Sequence, residues 1–291
     1  MKNLTWQNPE QLFVAQELIN KVKSKCCGIK DILTAKSLTV GYSVHGKQNI
    51  VLENLNLCLE EGKLTCLFGA NGTGKSTLLR TLCGVQPPLA GCVSLHDIAD
   101  IKDLSRSELA KIISIVNTDY TSVGALTVDE VVSIGRYPYT GFFGVLSRKD
   151  KQAVKNAISS VGMNDYTSRH IATLSDGERQ KVMIARALAQ DTRIIILDEP
   201  TSFLDAASRI ETLSLLKTLA SKNGKAILVS THDISQALAI ADNLWLISAN
   251  RHFFSGSASE IIKARTPLEA LFYGRNVSFD PNRLDFISKD I

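Results

Sequence analysis

"GANGTGKST", residues 69–77, decides how this chain reads. The run fits the pattern GxxxxGK[ST], and each of its positions has a physical reason. Gly69, Gly72 and Gly74 are expected to allow the backbone angles that turn successive N–H groups inward around a polyphosphate. Ala70, Asn71, Thr73 and Thr77 are assigned to the same cradle. Lys75 places a charge between the terminal phosphates, and the Ser76 hydroxyl is suited to Mg²⁺. The context is also right. "KLTCLFG" before the run reads as a strand, and "KSTLLRTLCG" reads as a helix closed by Gly84, whose positive end faces the anion.

Working outward, short apolar runs alternate with longer helical stretches. "KSLTVGY" reads as a strand, and "RIIILDEP" and "KAILVSTHD" are continuous apolar runs of the kind buried parallel strands show. A largely parallel α/β core follows, a phosphate-loop NTPase core in fold class. Residues 120–172 differ, with helical patterns and no buried strand, so a helical subdomain is inserted there. Thr127-Val-Asp-Glu130 is a capping-box sequence whose helix Gly135 is expected to end, and Ser147 starts a second helix. Residues 1–30 look separate: Asn8-Pro9 opens a stripe of Leu12, Ala15, Ile19 and Val22 at helical spacing. We expect an appended helix on its own domain, with a docking helix for a partner or membrane surface as the alternative.

Bulk properties exclude several classes. The chain has 291 residues, 44% hydrophobic and 21% charged, and a formal charge of +4, too mild to argue for nucleic acid as a partner. No apolar run approaches the ~18 residues of a membrane span. The N-terminus lacks a hydrophobic signal core, so a cytoplasmic location is expected. Cys26, Cys27, Cys58, Cys66, Cys83 and Cys92 form no CxxC pair or Cys/His cluster, and are expected to be buried, reduced thiols.

A metal-bound phosphate needs a second element. Asp198 ends the apolar "RIIILDEP" run, where phosphate-loop NTPases complete the Mg²⁺ sphere, usually through water. Glu199, one residue on, is placed to orient or polarise the attacking water.

With these residues in view, the chain resembles the ATP-binding-cassette (ABC) ATPases over residues 33–262. "LSDGERQ" (174–180) occupies the place of that family's LSGGQ sequence, and "FLDAAS" (203–208) looks like its D-loop, with Asp205. His232 looks like its switch histidine, and Tyr42 like the aromatic that stacks on adenine. The resemblance implies an antiparallel β subdomain beside the core, an ABC domain over 31–262 and a C-terminal tail over 263–291. Within the family, "SIGRYPYTG", the stretch 237–262 and the tail "VSFDPNRLDF" resemble importers of iron–siderophore complexes, haem or cobalamin.

The family places each ATP between the phosphate loop of one subunit and the LSGGQ-type helix of another. The resemblance therefore implies a homodimer, in which Ser175 and the Gly177 N–H face the neighbour's γ-phosphate, with Glu178 counted in the same nucleotide-binding set. It also implies two integral-membrane permease subunits, a substrate-binding protein acting indirectly, and a peripheral position on the inner face of the membrane. A soluble ABC protein, an exporter and a cassette for another substrate are the alternatives.

Two departures stand out. The family's Gln at the end of the strand before the helical insertion is Asn117 here, a metal-reaching amide shorter by about 1.5 Å. Asp176 and Glu178 replace the usual Gly and Gln. Carboxylates beside a triphosphate repel it, so Glu178 is expected to fold back in a Ser175-x-x-Glu178 capping box. Arg179 and Lys181 are available to offset the charge.

Overall fold

In the computed structural model, residues 31–288 are described, apart from 45, 96–98, 118–124, 142 and 273–275. The expected N-terminal helix (1–30), with Cys26 and Cys27, lies outside these residues. The described residues start with a long antiparallel hairpin, β1 (Asp31–Val44) and β2 (Lys47–Glu60). It continues through β3 (Leu64–Gly69), α1 (Lys75–Leu82), β4 (Ala90–Leu95), β5 (Ala99–Asp100), α2 (Arg106–Leu109) and β6 (Ile113–Val116). The helical insertion carries α3 (Val128–Ile134) and α4 (Arg148–Ser160), followed by α5 (Asp176–Ala189). The core resumes with β7 (Ile194–Leu197), α6 (Ala206–Asn223), β8 (Ala226–Thr231), α7 (Ile234–Ile240), β9 (Asn243–Ile247) and β10 (Phe253–Ser257). Two short helices, α8 (Ala258–Ala264) and α9 (Thr266–Leu271), lead to the hairpin β11 (Val277–Asp280) and β12 (Asp285–Ser288).

Two sheets organise the chain. One is antiparallel, in order β2-β1-β4-β5; the other runs β10-β9-β3-β8-β7-β6, parallel except where β10 joins β9. Every residue of β3, β7 and β8 is buried, which explains their largely apolar sequences. Their side chains alternate between two cores. Cys66, Phe68, Ile195, Leu197, Ile227 and Val229 face the helical side, with α5 and α6. Leu67, Ile194, Ile196, Leu228 and Trp245 face α1 and the antiparallel sheet. A sheet so sandwiched holds its carboxyl edge rigid, and that edge carries the phosphate loop, Asp198 and His232.

Burial pushes the thiols of Cys66 and Cys83 up to about 12, so both stay protonated. The four described cysteines form no disulfide with one another.

The strand expected over "KSLTVGY" is longer than its sequence signal, because hairpin pairing with β2 extends β1 to 14 residues. Gly135 does end α3, though in an ordinary right-handed conformation (φ −58°) rather than a left-handed cap. Its reason is space: a Cβ there would lie 2.2 Å from the Arg186 carbonyl of α5. Beside it, buried Arg136 donates to Asp150 Oδ1 (2.9 Å) and to the Ala189 carbonyl (2.7 Å), tying α3, α4 and α5 together. Residues after 262 pack on the same core: Leu268 and Leu271 are buried, and Phe272 lies edge-on to Phe68 and to Phe286.

Candidate active site

The phosphate loop joins β3 to α1, as the sequence predicts. Gly72 (φ +79°) and Gly74 (φ +108°) occupy the left-handed region, and a Cβ at Gly74 would strike Val51 Cγ1 at 2.4 Å. Gly69 corrects the expectation made for it, since its φ is not positive. There a Cβ would lie 2.7 Å from Thr73 Oγ1 and 3.2 Å from the Ile247 carbonyl, so this glycine permits close approach to β9. Thr73 is buried and spends both its amide (3.3 Å) and its hydroxyl (2.8 Å) on the Ala70 carbonyl, bracing the loop from within. Lys75, 5% exposed, donates to the Gly69 carbonyl at 2.8 Å and pairs with Glu199 Oε1 at 3.2 Å.

The two acids follow β7. Ser230 on β8 joins them, donating to Asp198 Oδ1 (2.6 Å) while accepting from the Glu199 amide (2.7 Å). Glu199 stands at φ +49°, a strained conformation for a residue with a side chain, and the Ser230 contact helps hold it. Its Oε2 accepts from Ser202 (3.0 Å) and faces His232 Nδ1 at 3.9 Å. Burial raises its pKa, but the Ser202 hydrogen bond and the charges of Lys75 and His232 outweigh that and hold the carboxyl below its ordinary range. Glu199 is therefore an anion at neutral pH, the state a water-polarising base requires.

A cleft of about 600 Å³ opens over these groups, lined by Asn71, Gly72, Gly74, Lys75, Ser76, Thr77, Asp198 and Glu199. Tyr42, Asn49, Val51 and Arg251 complete the lining, with the Tyr42 hydroxyl hydrogen-bonded to Thr77 Oγ1. Phosphate-binding amides, a buried lysine, paired acids and an aromatic wall are what a nucleoside triphosphate requires.

The family model for ABC transporters matches residues 52–202. An uncharacterised ABC transporter ATP-binding protein of Methanocaldococcus jannaschii is 40% identical over 248 residues, 85% of this chain and 83% of that protein. The chain belongs to the ABC transporter family. It is an ATP-binding cassette that hydrolyses ATP. The iron(3+)-hydroxamate import ATP-binding protein of Bacillus subtilis is 37% identical over 230 residues, 79% of this chain and 84% of that one. Among solved structures, a dimeric post-hydrolysis ATP-binding cassette bound to ADP and phosphate matches with a TM-score of 0.66 at 27% identity, covering 78% of this chain and 99% of that one.

The remaining residues assigned from sequence lie outside the cleft lining of one cassette. Asn117 directly follows β6, the strand beside β7, and is exposed. Asp205 is the N-cap of α6, where it accepts from the Ser208 amide at 2.9 Å. His232 precedes α7, whose cap is Asp233. Ser175, Gly177 and Glu178 begin α5, and the capping box is present: Glu178 Oε2 accepts from the Ser175 amide (2.8 Å) and hydroxyl (2.9 Å). Asp176 is turned onto Arg179 at 2.8 Å, and Lys181 is engaged by Glu211.

Sequence reading missed Ser230 and Arg251. Ser230 had a signal, a polar residue inside the apolar run "AILVST"; Arg251 sits in a turn that gives no such sign.

Proposed function

We propose that this cassette powers import of an iron chelate of the siderophore type, with haem or cobalamin as the neighbouring possibilities. The observation that carries this is likeness to the iron(3+)-hydroxamate import ATP-binding protein across 79% of the chain. In this reading the cassette is peripheral on the inner face of the membrane and drives two permease subunits, which receive substrate from a separate binding protein. Among the described residues, no helix is long and apolar enough to cross a membrane.

Two copies would close head to tail, each ATP held by the loop from Gly69 to Thr77 in one copy and by Ser175 and Gly177 of the other. The cleft of a single chain lacks the α5 residues, which favours this arrangement, and a related cassette is dimeric with ADP and phosphate bound. Tyr42 stacks on the base, Lys75 neutralises the terminal phosphates, Glu199 takes the proton of the attacking water, and His232 and Asp205 complete the site across the dimer.

Mg²⁺ fits the donors present. Ser76 and Asp198 both line the cleft, and a hard cation of this size typically takes one or two protein oxygens together with substrate phosphates. Asn117 would hold the same metal directly or through water. When bound, the ion would supply positive charge against the phosphates.

Cells lacking this chain should lose uptake of ⁵⁵Fe-labelled ferric hydroxamate, and Lys75→Ala should fail to restore it. Undiminished uptake in the deletion would overturn the iron–hydroxamate reading and leave the ATPase untouched.

A further inference from the structure

The cleft holds one cation that the nucleotide chemistry above does not use. Arg251 lies in the tight turn between β9 and β10, where its amide donates to the Ser248 carbonyl at 2.9 Å and its φ is +63°. A side chain held in the left-handed region costs free energy, so the turn is imposed by its surroundings. Because β9 pairs with β3, with Ile247 opposite Gly69, this turn sits directly beside the phosphate loop.

From there the guanidinium crosses to the other sheet and donates from Nη1 to the Ile50 carbonyl at 3.1 Å. Ile50 pairs with Gly41, and Asn49 with Tyr42, so the carbonyl that holds the Arg251 guanidinium stands one residue from the strand partner of Tyr42. It lines the cleft, is exposed, and has no carboxylate partner among the described residues.

Resting on the ATP-site reading above, we propose that Arg251 forms the second wall of the base subsite, its guanidinium plane laid on the purine whose other face meets Tyr42. The two walls come from different sheets, one on the antiparallel hairpin and one on the parallel core. A planar, delocalised cation suits this task because it stacks on π faces while its hydrogen bond to Ile50 fixes its orientation. Base binding would thus hold the two sheets at a set spacing.

The test is displacement of mant-ATP by ATP, ADP, AMP and inorganic tripolyphosphate from wild type, Arg251→Ala, Arg251→Lys and Arg251→Trp. Thermal melting of each variant is compared with wild type to exclude misfolding. Arg251→Ala should weaken ATP, ADP and AMP by one common factor, roughly 2- to 30-fold, and leave tripolyphosphate unchanged. Arg251→Trp, flat but uncharged, should recover more affinity than Arg251→Lys. A loss that grows with phosphate number, or a weakened tripolyphosphate, would make Arg251 a phosphate ligand and overturn the proposal. Equal affinities in Arg251→Ala and wild type would overturn it as well. Failure of wild type to bind mant-ATP would strike the ATP-site reading itself, a result distinguishable from either.

Discussion

Two helix starts in this molecule meet the same electrostatic problem in opposite ways. The amides at the N-terminus of α1 have no side-chain cap; its N-cap is Gly74 in the left-handed region, and no acid stands in its first turn. At the N-terminus of α5 stand Ser175 as cap, a complete capping box, and both Asp176 and Glu178 in the first turn. A helix start with free amides is an anion site. One with its own carboxylates already has a local anion. The α1 start is thus built to receive phosphate within its own chain, whereas the α5 start is stable alone and must exchange internal hydrogen bonds for any external anion it meets.

The sharpest way to break this comparison is at the α1 side, where chemistry is expected. Glu199→Gln keeps size and the Ser202 contact but removes the base. Steady-state ATP hydrolysis should fall by about 10²- to 10⁴-fold while mant-ATP still binds, and an ATP-bound dimer should accumulate on size-exclusion chromatography. Hydrolysis at the wild-type rate would remove Glu199 from its assigned role. The α5 side is tested by Ser175→Arg, which places a long side chain where a neighbouring copy would dock. Turnover should drop by about 100-fold, the scale of losing a preorganised donor to developing charge, with mant-ATP affinity of the single chain unchanged. Unaltered turnover would mean that α5 plays no part in the site.

The same contrast explains what was readable. Motifs that act through local backbone were legible: the phosphate loop, Asp198 and Glu199 after β7, the helix start at Ser147, and the capping boxes at Thr127 and Ser175 all appear where the sequence places them. Each is a contact within a few residues, so spacing alone encodes it. What escaped depends on chain segments far apart. Ser230 matters because β8 lies against β7, and Arg251 because a turn of one sheet reaches a carbonyl of the other. Gly69 was recognised as a necessary glycine for the wrong reason, and Gly135 ends its helix as expected but has a second role: they clear space for Ile247 and Arg186, neighbours that only the fold supplies.

The smallest expected effect is the most informative about α5. Glu178 takes the amide and hydroxyl protons of Ser175, the donors a neighbour's γ-phosphate would require. In Glu178→Gln the amide oxygen still accepts the Ser175 N–H, but the negative charge is gone. The ATP concentration for half-maximal hydrolysis should fall by roughly 2- to 5-fold, the range of one charge at a helix terminus, and less at high salt. The Ser175 amide, more than the opposing cost of burial, holds the Glu178 carboxyl below its ordinary range. A depressed pKa means the charge is complete well below neutrality and is lost only as pH falls through that lowered value. The ratio of mutant to wild type should therefore be flat from about pH 8 to about pH 6. A ratio that closes toward unity as pH falls across that window would show Glu178 titrating there, and the capping box would then be open in the working protein. A flat ratio with no difference in half-saturation would mean that Ser175 keeps its bond to Glu178 throughout, leaving the Gly177 amide and the α5 dipole as the groups that meet the neighbour's phosphate.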